Sequence, residues 1–207
     1  MKTLTKEMQS AITPALAFEI LKDGNKRFVS NLKVNRNLLQ QANETSDGQH
    51  PFAVILSCID SRTSAELIFD QGLGDVFSVR IAGNIINEDI LGSMEFGCKV
   101  AGAKIIAVLG HTKCGAIKGA CDNVALGNLT NLISKIKPAV EQEMTTTGNR
   151  NSSNSIFVEN VAELNVSLSV KNILLKSSII AEMVKNGDIG IVGGIHDITT
   201  GEVKFFE

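Results

Sequence analysis

The hydrophobic pattern along the chain alternates between a helical period and short, continuous apolar runs. Residues 13–32 carry apolar side chains at helical spacing, with Thr13 as a capping residue and Pro14 in the first turn. Four later segments are short, rich in β-branched residues and bounded by Gly, Asp or Pro, which is typical of strands. These segments are residues 52–57, 75–81, 104–110 and 187–195. The pattern therefore predicts an N-terminal helix followed by four strands.

Helical patterns separate these predicted strands. They cover residues 64–72, 87–102, 115–126 and 128–144. Strands that are apolar on both faces and alternate with helices are typical of a parallel sheet with helices on both faces. The ending HDITTGEVKFF predicts a tight turn at Thr200 and Gly201 and a last, antiparallel edge strand. The predicted class is α/β, with a mostly parallel central sheet and an antiparallel C-terminal edge strand.

The length of 207 residues suits one domain, since it can bury one substantial core and does not require two. Residues 145–155 are a low-complexity segment. Because the helical run after this segment is too short to own a core, we interpret the segment as a loop within a single domain, 1–207. Residues 1–12 are expected to form a flexible tail.

Composition and charge narrow the classes of function. The chain is 43% apolar and 20% charged, as in ordinary globular proteins, and its apolar runs are shorter than the roughly 18 residues of a membrane span. A net charge of −2 and the lack of Trp and Tyr argue against a nucleic-acid surface. The N-terminus lacks the continuous apolar stretch of a secretory signal. We expect a cytoplasmic protein with no membrane or nucleic-acid partner.

Residues with metal-binding chemistry follow two of the predicted strands. Cys58 follows the first strand directly, and His111 and Cys114 follow the third. Because ligands of parallel sheets bind beyond the carboxyl ends of the strands, we expect these side chains to meet. Two thiolates and an imidazole suit Zn²⁺ and leave one tetrahedral position open, as a catalytic zinc requires. The sequence therefore predicts one zinc ion per chain.

The other cysteines and histidines are expected to have structural roles. Cys98 and Cys121 lie in helical patterns, where a cysteine usually packs as a small hydrophobic residue. His50 and His196 have no cysteine close by in the sequence, so we expect neither to bind metal.

Three segments resemble the β-class carbonic anhydrases: GQHPFAVILSCIDSR, FDQGLGDVFSVRIAGN and AVLGHTKCGAIKG. That family carries a CxDSR segment and, further along, an HxxCG segment, which here contain Cys58 and His111. The resemblance extends over residues 14–206. It implies a zinc enzyme that hydrates CO₂ reversibly to bicarbonate and a proton. It also implies self-association as a dimer or tetramer, in which the first helix packs on a neighbouring subunit.

Asp60 and Arg62 are the expected catalytic pair. Asp60 lies two residues beyond the predicted ligand Cys58 and is expected to accept a hydrogen bond from the reacting water. Arg62 is expected to keep Asp60 ionised and oriented through paired hydrogen bonds.

The resemblance also implies a set of substrate-binding residues. Gln49 matches a glutamine that donates a hydrogen bond to bicarbonate or CO₂, and Gly115 offers a backbone N–H beside the last zinc ligand. Phe77 and Phe96 match aromatic positions that line the cleft, although plain core packing is an alternative for both.

One regulatory feature of the family is expected to be missing. Some bacterial members hold regulatory bicarbonate with a Trp, an Arg and a Tyr, and the matching residues here are Ile55, Arg80 and His196. Only the arginine is kept. With Gln49 present and this pocket lost, we expect an open zinc site in which water, and not Asp60, occupies the fourth position at neutral pH.

Two other functions stay open on the sequence alone. A zinc-dependent hydrolase of carbonyl sulfide or carbon disulfide would use the same site. A non-enzymatic zinc or thiol module would need Cys58 and Cys114 but would have no use for Asp60, Arg62 and Gln49.

Overall fold

A computed structural model of the chain describes residues 3–206, which are built around one five-stranded sheet. The strands are β1 (Ala53–Ser57), β2 (Val76–Arg80), β3 (Ile105–His111), β4 (Gly190–His196) and β5 (Val203–Phe205). They lie in the order β2-β1-β3-β4-β5. The first four are parallel and β5 is antiparallel to β4. The predicted α/β class and antiparallel edge strand are confirmed.

Helices cover both faces of this sheet. They are α1 (Lys6–Ala11), α2 (Pro14–Val29), α3 (Leu38–Glu44), α4 (Ala65–Ile68), α5 (Glu88–Glu95), α6 (Gly115–Cys121), α7 (Gly127–Ser134), α8 (Lys137–Gln142), α9 (Ser155–Lys176) and α10 (Ser178–Lys185). A 3₁₀ turn, Ala82–Asn84, follows β2, and a π-helical turn, Phe96–Val100, continues α5. Across the described residues, no helix has both the length and the apolar character to span a membrane.

The two central strands determine where the site lies. All residues of β1 and β3 are buried, as their continuous apolar sequences predicted. In the register between them, Ser57 lies opposite Leu109. Because the neighbouring strands run in the same direction, the residues that follow them emerge at one edge of the sheet. This places Cys58 beside the segment that begins at His111.

Helix α9 is the helical run predicted after the low-complexity segment, and it extends over 22 residues. Its first half, with Phe157 and Val161, packs in one apolar cluster, and its second half, with Val166 and Ile173, packs in another against the sheet. The helix therefore belongs to the core that covers the sheet.

Residues 1–12, which were expected to form a tail, contain helix α1 over residues 6–11. The side chain of Gln9 is buried, and its amide donates to the carbonyls of Pro51 and Ala101 at 2.7 and 2.8 Å. Because these two bonds satisfy backbone groups of distant loops, they fasten α1 to the domain. The first two residues of the expected tail lie outside the described residues.

A buried carboxylate connects α2 to the chain after α4. Asp70 forms ion pairs with Arg27 and Arg36 and accepts a hydrogen bond from the backbone N–H of Val34. Arg36 also donates to the backbone carbonyl of Asp70. We refer to Asp70, Arg27 and Arg36 as the Asp70 cluster.

The side chain of Asn25 connects α2 to the end of the chain. Its amide donates to the carbonyls of Ile68 and Gly201 at 3.2 and 2.9 Å, and its side-chain oxygen accepts from the N–H of Val203 at 2.9 Å. Gly201 has a φ of +82°, a value that favours glycine, at the tight turn predicted from the sequence. The helix and the last strand therefore depend on each other.

Candidate metal centre

Three side chains meet at the carboxyl ends of β1 and β3. The ligand atoms of Cys58, His111 and Cys114 all lie within 4.8 Å of one another, and all three residues are buried. The two sulfur atoms are 4.0 Å apart. This is far longer than the roughly 2.05 Å of a disulfide and close to the separation of about 3.8 Å expected for two sulfurs bound tetrahedrally at about 2.3 Å from zinc.

The histidine presents the correct nitrogen for a metal. Nδ1 of His111 lies 2.9 Å from the backbone carbonyl of Thr112. Because a carbonyl can only accept, Nδ1 carries the proton and Nε2 keeps a free lone pair. Among the described residues, buried Nε2 has no hydrogen-bond partner. A metal ion would satisfy this atom, and a backbone carbonyl on the other nitrogen is the usual support for a metal-binding histidine. The three residues therefore fit a zinc ion.

The surroundings of Cys58 favour a thiolate, which is the form that binds metal. The side chain of Cys114 and the N–H of Gly83 lower the pKa of the Cys58 thiol through hydrogen bonds, although burial acts against them. The N–H of Gly83 lies 3.4 Å from the sulfur. The neighbouring thiolate and burial raise the pKa of Cys114, so the two sulfurs share one proton. A zinc ion would displace this proton.

Asp60 and Arg62 form a paired, two-bond contact next to the metal site. Nη2 of Arg62 donates to one carboxylate oxygen at 2.7 Å, and Nε donates to the other at 2.9 Å. The backbone N–H of Arg62 adds a third bond at 3.0 Å. These hydrogen bonds hold the pKa of Asp60 well below its usual range. The carboxylate is therefore ionised and fixed in orientation, and its part in catalysis stays a prediction.

Arg80 has a position that the sequence did not reveal. Its Nε donates to the carbonyl of Cys58 at 3.0 Å, and its Nη2 donates to the carbonyl of Asp60 at 2.7 Å. The hydroxyl of Thr63 donates to the same two carbonyls. Arg80 and Thr63 therefore hold the loop that carries both a metal ligand and the neighbouring acid.

These contacts bear on the regulatory pocket that was expected to be missing. Arg80 is engaged by the loop, and Ile55 is fully buried in the core. His196 is buried opposite His111 in the register of β3 and β4, and burial lowers its pKa to about 4. The loss of that bicarbonate pocket stays a prediction.

The predicted substrate-binding residues lie at three separate positions in the fold. Gly115 begins α6 next to Cys114, and a Cβ atom built there would meet nothing within 4 Å, so there is room beside the metal ligand. Gln49 is exposed on the segment that leads into β1. Phe77 and Phe96 lie edge to face, with ring centroids 6.2 Å apart, in a hollow of about 810 Å³ along β2 and α5. The three metal-site residues do not line this hollow.

The remaining cysteines behave as packed thiols. Cys98 and Cys121 are buried and free, and burial raises their pKa values to about 12 and about 11. Within residues 3–206, the only group of three metal-ligating side chains includes neither of them, and it also excludes His50 and His196.

Comparison with known proteins agrees with this geometry. Residues 53–203 match the family model described as carbonic anhydrase. The chain is 34% identical over 194 residues to carbonic anhydrase 2 of Mycobacterium tuberculosis, covering 91% of this chain and 90% of that protein. It is 33% identical to the carbonic anhydrase of Mycolicibacterium smegmatis, covering 92% of each.

Solved structures share the fold. The chain is similar to the β-carbonic anhydrase CafA of Aspergillus fumigatus, with a TM-score of 0.72 and 27% identity over 92% of this chain and 90% of that one. It also shares the fold of a β-carbonic anhydrase of Sordaria macrospora described as tetrameric, with a TM-score of 0.71 and 23% identity over 93% of this chain and 94% of that one.

Proposed function

The chain belongs to the β-class carbonic anhydrases, and we propose that it hydrates CO₂ to bicarbonate with a zinc ion held by Cys58, His111 and Cys114. The observation that carries this assignment is the meeting of two buried sulfurs and an unpartnered imidazole nitrogen at one edge of the sheet. A zinc ion bound there lowers the pKa of a water molecule, so that a nucleophile is present near neutral pH.

Asp60 orients the reacting water and does not take up its proton. The hydrogen bonds from Arg62 hold the pKa of Asp60 so low that the carboxylate is a weak base. It is, however, a strong acceptor, and Arg62 prevents it from rotating. A hydrogen bond from the reacting water to Asp60 would therefore fix the direction of the lone pair that attacks CO₂.

The same contact supports an open metal site at neutral pH. Both oxygens of Asp60 accept hydrogen bonds from Arg62, so the carboxylate would have to break two charge-assisted bonds to reach the metal. We therefore expect water in the fourth position, with activity that rises as the reacting water deprotonates. Gln49 and Gly115 are proposed to hold CO₂ or bicarbonate next to that position.

We propose that two or four copies assemble, with one contact along β2. This strand is an edge strand and is only partly buried, so its outer N–H and C=O groups are available to another chain. The neighbouring π-helical turn exposes Phe96 by 54% and Val100 by 72%. A second copy on this edge would bury these side chains and turn the hollow lined by Phe77 and Phe96 into part of a cleft.

Helix α2 supplies a further apolar surface for this assembly. Leu16 and Val29 of α2 and Leu32 after it are all exposed. Burying them against a neighbouring subunit would stabilise the assembly by removing apolar area from water. A light-scattering mass in solution tests the proposal, and a monomeric mass would contradict it.

We also propose a cytoplasmic location. The four cysteines are free thiols, and thiols persist in a reducing compartment. Detection of the protein in a fractionated cell would test this proposal.

Zinc content and CO₂ hydration on one preparation test the function. Wild-type protein should hold one zinc per chain and be active, and Cys114→Ser should lose both. Cys121→Ser is the matched control, because Cys121 is also a buried free thiol but lies outside the metal site. Undiminished zinc in Cys114→Ser would overturn the ligand assignment. Parallel assays with carbonyl sulfide and carbon disulfide would show whether the site prefers a sulfur analogue.

A further inference from the structure

Another hollow lies beside the segment that follows the 3₁₀ turn Ala82–Asn84, with Ile85 and Ile86 in its lining. It has a volume of about 190 Å³ and lies between the chain around α8 and the second half of α9. We call it the α9 pocket and define it by Lys135, Asn165, Ser169, Asn172 and Lys176. The residues of the metal centre do not line it.

The charge of the α9 pocket is positive. Lys135 and Lys176 both line it, and its lining contains no acidic residue. Within residues 3–206, neither lysine forms an ion pair with a carboxylate. The chain as a whole has a net charge of −2, whereas the lining of this pocket contains two lysines and no acidic residue. Such a site attracts anions.

The inner wall of the pocket offers neutral polar groups. Asn165 and Ser169 are buried, and Asn172 follows them on the same face of α9. The hydroxyl of Ser169 donates to the carbonyl of Asn84 at 3.5 Å. Asn84 itself does not line the pocket.

The pocket is linked to the metal centre through the backbone of one residue, Gly83. The amide of Asn165 donates to the carbonyl of Gly83 at 2.9 Å. The N–H of the same glycine lies 3.4 Å from the sulfur of Cys58. One residue therefore has its carbonyl held by the wall of the pocket and its N–H directed at a metal ligand.

We propose that the α9 pocket binds a small inorganic oxyanion, through the ammonium groups of Lys135 and Lys176 and the amide of Asn172. A volume of about 190 Å³ is several times the roughly 30 Å³ that one water molecule occupies, which leaves room for an oxyanion and its remaining water. Ammonium and amide donors together are the usual recognition chemistry for such ions. The site differs from the regulatory pocket matched by Ile55, Arg80 and His196.

The test measures binding of inorganic phosphate to the zinc-loaded full-length chain by titration calorimetry, at constant ionic strength in chloride. Wild-type protein should show saturable binding with one site per chain. The double variant Lys135→Gln/Lys176→Gln should bind about tenfold more weakly, which corresponds to about 1.4 kcal/mol. A second titration with bicarbonate shows whether the reaction product occupies the same site.

The control is Lys137→Gln/Lys171→Gln, which removes two exposed lysines from the same region that do not line the pocket. It should bind phosphate as the wild type does. Equal affinity in the two double variants, or no saturable binding in the wild type, would overturn the proposal. Phosphate binding that is lost in Cys114→Ser but kept in Lys135→Gln/Lys176→Gln belongs to the metal centre and would also overturn it. If the double variant unfolds, Lys135→Gln and Lys176→Gln are titrated singly, and each must weaken binding.

Discussion

Two aspartates in this chain are held by arginines, and they differ in what the arginines connect. Asp60 is held by Arg62, two residues further along one loop, and its side chain is 17% exposed. Asp70 is held by Arg27 and Arg36, which lie 43 and 34 residues earlier in the chain, and its side chain is 2% exposed. The bonds are of the same kind in both cases, but only the second set joins distant segments.

This difference separates a functional contact from a structural one. A short-range pair near solvent contributes little to folding, typically 0 to about 1 kcal/mol, so its geometry is free to serve chemistry. A buried carboxylate with two arginines is different, since removing one partner leaves charge without compensation inside the protein. Ion pairing alone therefore does not identify a catalytic residue. A catalytic pair is indicated when the carboxylate is exposed to the site and its partner lies close by in the sequence.

The largest expected effect is on the Asp70 cluster. Asp70→Ala should lower the free energy of unfolding by about 3 kcal/mol or more, because it leaves Arg36, only 7% exposed, without its carboxylate. Urea unfolding at pH 7 measures this change. Asp188→Ala, at an exposed aspartate, is the control and should stay within about 0.5 kcal/mol of wild type. If Asp70→Ala protein that is still folded had a clearly lower kcat/KM than wild type, Asp70 would have more than a structural role.

The next largest effect is expected at the metal centre, where a substitution should reduce activity and leave stability nearly unchanged. Asp60→Ala should lower CO₂ hydration by about 100-fold or more, the usual worth of a positioned polar catalytic group, and should keep its zinc. Its free energy of unfolding should change by less than about 1 kcal/mol. Stopped-flow hydration and metal analysis measure the two outcomes. The double variant with Arg62→Ala should be little worse than Asp60→Ala, because the pair acts as a unit. Additive losses would show that the two residues act separately.

Conservative replacement of an arginine in each ion pair is expected to have a smaller effect. Arg62→Lys should lower activity about tenfold, since one ammonium cannot donate in parallel to both carboxylate oxygens. Arg27→Lys in the Asp70 cluster is the matched change and should leave the activity of folded protein unaltered. If both variants lost activity alike, the proposed distinction between the two pairs would be wrong.

The smallest expected effect is a loss of stability at low pH. Burial opposes ionisation of Asp70, but hydrogen bonds from Arg27 and Arg36 outweigh it, and its pKa is lowered. The stabilising contribution is therefore complete above the unfolded pKa of about 3.9 and is lost as the pH falls through the lower, folded value. Below about pH 4, the free energy of unfolding should fall more steeply for wild type than for Asp70→Asn. Parallel slopes would contradict this.

The metal centre could be predicted because parallel strand pairing alone brings its ligands together. Cys58 follows β1 and His111 ends β3, and the parallel register of these neighbouring strands places their carboxyl ends at one edge of the sheet. Asp60 and Arg62 are close in the sequence and need no fold to meet. Arg80 is different: it donates to backbone carbonyls, which leave no mark in the sequence, and so only the fold shows what it holds.

The full extent of α9 and the attachment of α1 could not be predicted from the sequence, for physical reasons. Helix α9 contacts two apolar clusters, so its apolar residues point to more than one side and the usual one-sided pattern is absent. Helix α1 is held in place by hydrogen bonds from the side chain of Gln9 to distant carbonyls. Hydrophobic periodicity does not predict such bonds. The roles of Phe77 and Phe96 stay predictions, since they depend on a second copy of the chain.

The contacts of Asn25 determine when helix α2 can complete its native packing during synthesis. Helix α2 leaves the ribosome well before two partners of Asn25, the carbonyl of Gly201 and the N–H of Val203. They follow by 176 and 178 residues, which at about 5–20 residues per second is a delay on the order of 10 s. During that interval Leu21, which packs in the same apolar cluster as Val203, is incompletely covered. Helix α2 therefore acquires its full set of native contacts only after Val203 has emerged.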